Sequence, residues 1–173
     1  MSSEFPHQFV HGPLVKFCFG RASSLRCGIL TWMVAAGLVG RWRLLSWSNR
    51  AGNGANEYPF GERAEGNLVY TPGGWVTVTL AKADRAQLST DDLVGGGEGE
   101  RAEAYSSYIA YCGTYEVEGN VVIHRVRMSL FPNWVGSEQV RDFEVSGDEL
   151  VLRSRVKLGG ELVVGELRWI RDE

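Results

Sequence analysis

From Leu38 onward, apolar and polar residues alternate with a period of two over short runs, the pattern of half-buried strands. Leu38–Trp47 sets Trp42, Leu44 and Ser46 on one face and Arg41, Arg43 and Leu45 on the other. Gly66–Tyr70 and Trp75–Leu80 flank Thr71-Pro72-Gly73-Gly74. A Pro-Gly step is turn chemistry, so these two runs are predicted to form a hairpin, with Val76, Val78 and Leu80 facing inward. A polar stretch then ends in Gly95-Gly96-Gly97. The spacing next predicts a helix over Glu98–Tyr111, with Tyr105, Tyr108, Ile109 and Cys112 at the i, i+3, i+4, i+7 positions of a buried stripe. Strands return at Thr114–Val117, Val121–Leu130, Gln139–Val145, Glu149–Arg155 and Leu162–Ile170.

The connections are short and rich in glycine, as at Glu118-Gly119-Asn120, Ser146-Gly147-Asp148 and Gly159-Gly160. Such links join antiparallel neighbours, because a parallel crossover needs a dozen or more residues. Eight strands in this order predict an all-β fold: an eight-stranded antiparallel up-and-down β-barrel with one inserted helix, over residues 36–173. Closure removes the exposed edges and leaves an interior filled by side chains or by one small ligand.

Residues 1–35 lack this alternation and read as an N-terminal extension, poorly ordered or non-native, with Met33 as the preferred start. Under a competing reading they are an export segment. Lys16, Arg21 and Arg26 precede a short apolar stretch, and Val34-Ala35-Ala36 resembles a small-residue cleavage site. A cytoplasmic protein is the expectation under the first reading and an exported one under the second. Arg41 interrupts the apolar run too early for a transmembrane helix, so no membrane role is expected.

From Met33 on, 15 Lys and Arg stand against 20 Asp and Glu. That mildly acidic balance argues against a phosphate-tracking surface, and no nucleic-acid partner is expected. The pairs Arg125 with Arg127 and Arg153 with Arg155 fall at period two, as on a solvated sheet face. Three cysteines, two of them in the extension, make no disulfide framework, and no Cys-x-x-Cys or clustered histidine suggests a metal. Gly95-Gly96-Gly97 lacks the following Lys-Ser/Thr of a phosphate cradle. No cofactor is expected.

His124 shares its predicted face with Val122, Val126, Met128 and Leu130, which turns a histidine toward an apolar interior. Burial there disfavours its charged form, leaving either a core histidine hydrogen-bonded to a barrel neighbour or a neutral donor, acceptor or general base for a guest. Arg141 alternates with Gln139 and Phe143 and can present its planar fork to a carboxylate or enolate inside the barrel, or form an internal ion pair, or cover Trp42. Asn133 and Trp134, after Pro132, are placed to close one end. Tyr105, Tyr108 and Tyr111 on the predicted helix either line the cavity as a lid or pack as an ordinary core stripe, and Tyr115 and Met128 complete the expected ligand lining. Two functions fit these residues. One is a barrel that binds a small, largely apolar molecule. The other is a cofactor-free cyclase, isomerase or dehydratase, with His124 as base and Arg141 stabilising developing negative charge.

Gly40-Arg41-Trp42 on the first strand is the Gly-x-Trp pattern of lipocalins, and Arg168-Trp169 stands where those proteins place an arginine over that tryptophan. Tyr58-Pro59-Phe60-Gly61, Leu68-Val69-Tyr70-Thr71-Pro72, Tyr111-Cys112-Gly113-Thr114-Tyr115 and Ser129-Leu130-Phe131-Pro132-Asn133-Trp134-Val135-Gly136 follow in order. With these runs the chain resembles the lipocalin-like domain family of small bacterial and fungal proteins over roughly residues 36–171. The resemblance implies an eight-stranded barrel; some members of that family are encoded beside secondary-metabolite pathways, and the likeness bears on the fold much more than on any activity.

Overall fold

The computed structural model describes residues 37–50, 56–158 and 161–172. The extension, the Gly52-Asn53-Gly54 turn and the Gly159-Gly160 link lie outside the described residues. Eight long strands run β1 (Gly40–Arg50), β3 (Glu65–Tyr70), β4 (Trp75–Ala81), β5 (Tyr108–Glu118), β6 (Val121–Ser129), β7 (Glu138–Ser146), β8 (Glu149–Leu158) and β9 (Glu161–Asp172). Each pairs antiparallel with the next, and β9 returns to β1, closing the barrel. A two-residue strand, β2 (Asn56–Glu57), adds to the end of β1. The helix α1 (Glu98–Ser106) lies between β4 and β5. Among the described residues no helix is long and apolar enough to cross a membrane.

The tight turns after β3, β5 and β7 gather at one end of the barrel, and the longer connections, including α1, gather at the other. Near the tight-turn end the core is dense: Leu38, Trp42, Leu68, Tyr70, Val76, Val122 and Leu150 are all essentially sealed from solvent. Arg171 plugs that end. Its guanidinium lies 4.2 Å over the Trp42 ring and donates to the carbonyls of Val39 and Gly37 at 2.9 and 2.8 Å. Gly40 makes the room, because a Cβ there would stand 2.7 Å from the Arg171 guanidinium, and its φ of +138° suits glycine. The arginine over Trp42 is therefore Arg171, not Arg168, which lies on the outer face paired with Glu166 at 2.9 Å.

Two bulges correct the simple alternation. On β1 the register with β9 skips Leu45, which turns outward and brings Trp47 and Asn49 inside in place of Ser46. On β6 the register with β5 skips Arg127, so Met128 falls on the outer face, 67% exposed, instead of continuing the His124 face. Gly113 permits this second bulge. A Cβ on it would stand 1.9 Å from the Arg125 carbonyl oxygen, an impossible approach to backbone.

The helix is shorter than its periodicity predicts. It ends at Ser106, has no buried residue, and hands over at Ser107, whose hydroxyl donates to the Glu103 carbonyl at 2.7 Å. Tyr108–Cys112 instead opens β5, pairing Tyr108 with Ala81, Ile109 with Leu80 and Tyr111 with Val78. The edge of β4 has backbone groups to satisfy, and an aromatic and β-branched run satisfies them better as a strand than as a last helical turn.

Candidate functional site

The half of the interior toward the long connections holds a cavity of about 50 Å3, room for a few water molecules. Its wall is mostly apolar: Val78 and Leu80 from β4, Ile109 and Tyr111 from β5, Leu152 from β8, and Leu167 and Trp169 from β9. Trp47 and Trp134 contribute two more indoles. Trp134 sits on a single 3-10 turn, Pro132–Trp134, between β6 and β7, with its ring edge-on to Tyr111 at 5.6 Å. The polar side chains of the wall are Arg141, Tyr111 and Ser154.

Behind the wall lies a chain of three rings. His124, 1% exposed, places Nε2 2.7 Å from the Tyr70 hydroxyl and Nδ1 2.8 Å from the Tyr111 hydroxyl. A neutral imidazole has one N–H and one bare nitrogen, so one tyrosine donates to it and the other accepts from it. Burial, reinforced by the nearby charge of Arg141, lowers the His124 pKa from 6.5 to about 3, so the ring is neutral at any physiological pH. Burial also pushes both tyrosine hydroxyls up, the Arg141 charge opposing it in each case. A cation carries only donors. Beside it, the favoured arrangement turns the Tyr111 oxygen toward the guanidinium and its proton toward His124 Nδ1, which leaves the Nε2 hydrogen for Tyr70. Tyr115 packs edge-on against Tyr70 at 4.8 Å and donates to the Thr71 carbonyl at 3.0 Å.

Arg141 is the one charged side chain on the cavity wall. It is 8% exposed, and among the described residues no carboxylate pairs with it. Its polar contacts are the Val140 carbonyl at 3.1 Å, the Gln139 side-chain oxygen at a long 3.5 Å, and the Tyr111 hydroxyl oxygen beside it. The carboxylates of Asp142 and Glu144, its neighbours on β7, face outward. Among the described residues one buried polar group is unsatisfied. Trp169, 1% exposed, lines the same cavity, and its buried Nε1–H meets no acceptor among the described residues. By contrast, the Trp47 N–H donates to Asn49 Oδ1 at 3.2 Å.

Of the residues singled out in the sequence, the fold brings Arg141 and Trp134 to the cavity and sets His124 and Tyr115 in the wall behind it. It does not bring the others. Tyr108 faces outward, with the Arg85 guanidinium 4.8 Å above its ring; Asn133 is exposed on the 3-10 turn; and the β6 bulge puts Met128 outside. Trp169, Trp47 and Ser154 were missed, and Tyr111, expected to line the interior from a helix, reaches the cavity from β5. For Trp169 the signal was present, since it alternates with Leu167 and Gly165 on an inward face.

A family model described as a lipocalin-like domain matches residues 39–171. A protein of Aspergillus oryzae named "4'-hydroxy-3'-methoxypropiophenone carrier protein ppsC" is 36% identical over 74 residues, covering 38% of this chain and 67% of that protein. Among solved structures, Rv2717c from M. tuberculosis is similar at a TM-score of 0.35 and 14% identity, covering 83% of this chain and 98% of that one. A mutant of the fluorescent protein UnaG is similar at 0.34 and 15%, covering 77% and 94%.

Proposed function

The chain belongs to the lipocalin-like domain family, and we propose that its barrel holds one small, largely apolar molecule in the cavity beside Arg141 and carries it without changing it. The observation that carries this reading is a buried guanidinium with no carboxylate partner among the described residues, set in an apolar, tryptophan-rich wall. A charge left unpaired in such a place lowers stability, and binding sites are where that cost is offset by a ligand. The Aspergillus oryzae relative, named a carrier, supports the same class of function.

The enzymatic alternative draws less support. Both His124 nitrogens are engaged by tyrosines, and an imidazole of pKa about 3 is a feeble base near neutral pH. A one-ring guest exceeds about 50 Å3, so binding includes displacement of a wall side chain. Trp134, half-buried on its short turn, is the side chain placed to give.

Titrating the protein with one-ring aryl ketones and phenols, and reading tryptophan fluorescence, tests the proposal. Saturable quenching, with every compound recovered unchanged, is the expected result. Conversion of a bound compound that disappears in His124→Gln would replace the carrier with an enzyme. Absence of saturable binding across the panel would remove both.

A further inference from the structure

Resting on the carrier reading, we infer that the guest is an oxyanion: a small, aromatic-bodied molecule that turns a carboxylate or an ionised phenol or enol toward Arg141 and Trp169. The unused hydrogen-bonding capacity of the wall is almost entirely donor capacity. Arg141 has five N–H donors; the Val140 carbonyl and, weakly, the Gln139 side-chain oxygen take two, the Tyr111 hydroxyl oxygen accepts from the same guanidinium, and the rest are free for a guest. Trp169 offers an N–H that meets nothing. The Tyr111 hydroxyl is engaged by His124 and the Trp47 N–H by Asn49, which leaves Ser154 as the one adaptable hydroxyl on the wall. A guest with donors of its own would find few acceptors here, whereas one with acceptors would supply the Trp169 N–H with a partner and the guanidinium with a counter-charge.

Charge points the same way. The titratable side chains that share the interior with Arg141 are Tyr70 from β3, Tyr111 and Tyr115 from β5 and His124 from β6, and burial holds each of them neutral. Gln139 on β7, Ser154 on β8 and Trp169 on β9 bring no charge. The neighbouring acids Glu138, Asp142 and Glu144 stand outside, where Glu138 and Glu144 pair with Arg125 and Arg153. The interior therefore carries one uncompensated positive charge in a medium of low polarity, where a single negative charge on the guest is strongly favoured over a neutral one. The three indoles of the wall accept an aromatic body through edge and face contacts.

Para-nitrophenol is a suitable probe, because its ionised form absorbs in the visible, and para-nitroanisole is its neutral counterpart. On binding to the intact protein, the nitrophenol pKa should fall by about one unit or more, as for an acid placed beside a guanidinium. The phenolate should also bind at least about tenfold more tightly than the anisole, the size of one hydrogen bond to a charged group. In Arg141→Met the fall in pKa should vanish while the anisole still binds. In Trp169→Phe, which keeps an aromatic ring in the wall and removes its N–H, phenolate affinity should drop several-fold more than anisole affinity does. Para-nitrobenzoate against para-nitrobenzamide, run alongside, distinguishes a carboxylate gripped by both arms of the guanidinium from a single phenolic oxygen. Equal binding of phenolate and anisole by the intact protein, or an unchanged or raised pKa of the bound phenol, would overturn the inference and leave the carrier reading standing. If none of the probes binds, both fall.

Discussion

Mild acid should destabilise this barrel through His124. In the unfolded chain the imidazole titrates near 6.5, and in the barrel it titrates at about 3, because protonation would bury a cation beside Arg141 and add a proton where both nitrogens are already engaged. Between those values the unfolded state binds a proton that the folded state does not. The associated stability is thus fully present above about pH 6.5, declines as pH falls, and is exhausted near pH 3. A separation of about 3.5 pH units at 1.36 kcal/mol each gives about 5 kcal/mol in all, and about 3 kcal/mol at pH 4. Against a typical net stability of 5–15 kcal/mol, roughly a third or more of the total is at stake. Urea unfolding at a series of pH values, for the natural chain and for His124→Gln, isolates the effect, because the surface carboxylates titrate alike in both. At neutral pH the variant should be weaker by about 2–4 kcal/mol from two lost hydrogen bonds in a buried network. That gap should close by about 1.4 kcal/mol per pH unit on acidification. A gap that stays constant from about pH 6 to pH 4, or an imidazole NMR signal from His124 that titrates near its unfolded value, would refute the reasoning.

Gly113→Ala forces a methyl against the Arg125 carbonyl at 1.9 Å, so the β6 bulge must shift; a loss of about 3 kcal/mol or more, read as a fall in thermal midpoint or in folded yield, is expected. Arg171→Ala removes the guanidinium over Trp42 and two hydrogen bonds to the chain before β1; about 2 kcal/mol should be lost in chemical denaturation, with guest binding at the opposite end unchanged.

Alternation alone sufficed for the barrel and for its inner face wherever the strands are regular. Val76, Val78 and Leu80 are inside, as are Val122, His124 and Val126; β7 is the exception, where alternation left the face open, since Val140 suits a core as well as Phe143 does, and the fold turns Arg141 and Phe143 inward. Reading failed where one extra residue slips into a strand. Neither Leu45 nor Arg127 carries a compositional mark of a bulge, since the glycine that makes the second one possible stands on the neighbouring strand. Met128 was assigned inward for that reason. The overlong helix failed differently: Tyr105, Tyr108, Ile109 and Cys112 satisfy a helical stripe, yet the demand of β4 for a partner overrides local spacing from Tyr108 onward. Trp169 escaped notice as a polar group because an indole reads as packing until its N–H is found without an acceptor.

The two functional features of the interior pull against each other, and the positions of the charged groups show how the fold contains the conflict. A barrel built for stability alone would match Arg141 with an acid on a facing strand, or replace it with leucine. Here every acid near it on β7 lies on the solvent side, where Arg125 and Arg153 hold two of them in surface pairs. The interior neighbours are instead a histidine and tyrosines, which hydrogen-bond one another without neutralising the cation. His124 thereby does structural work that permits the electrostatic arrangement. It ties β3, β5 and β6 together through two tyrosines while adding no negative charge that would compete with a guest for the guanidinium. On this reasoning Arg141→Met should raise the stability of the empty barrel by about 1–3 kcal/mol in urea unfolding. A destabilised variant would mean that the guanidinium is already satisfied within the fold, and the case for a guest beside it would lose its footing.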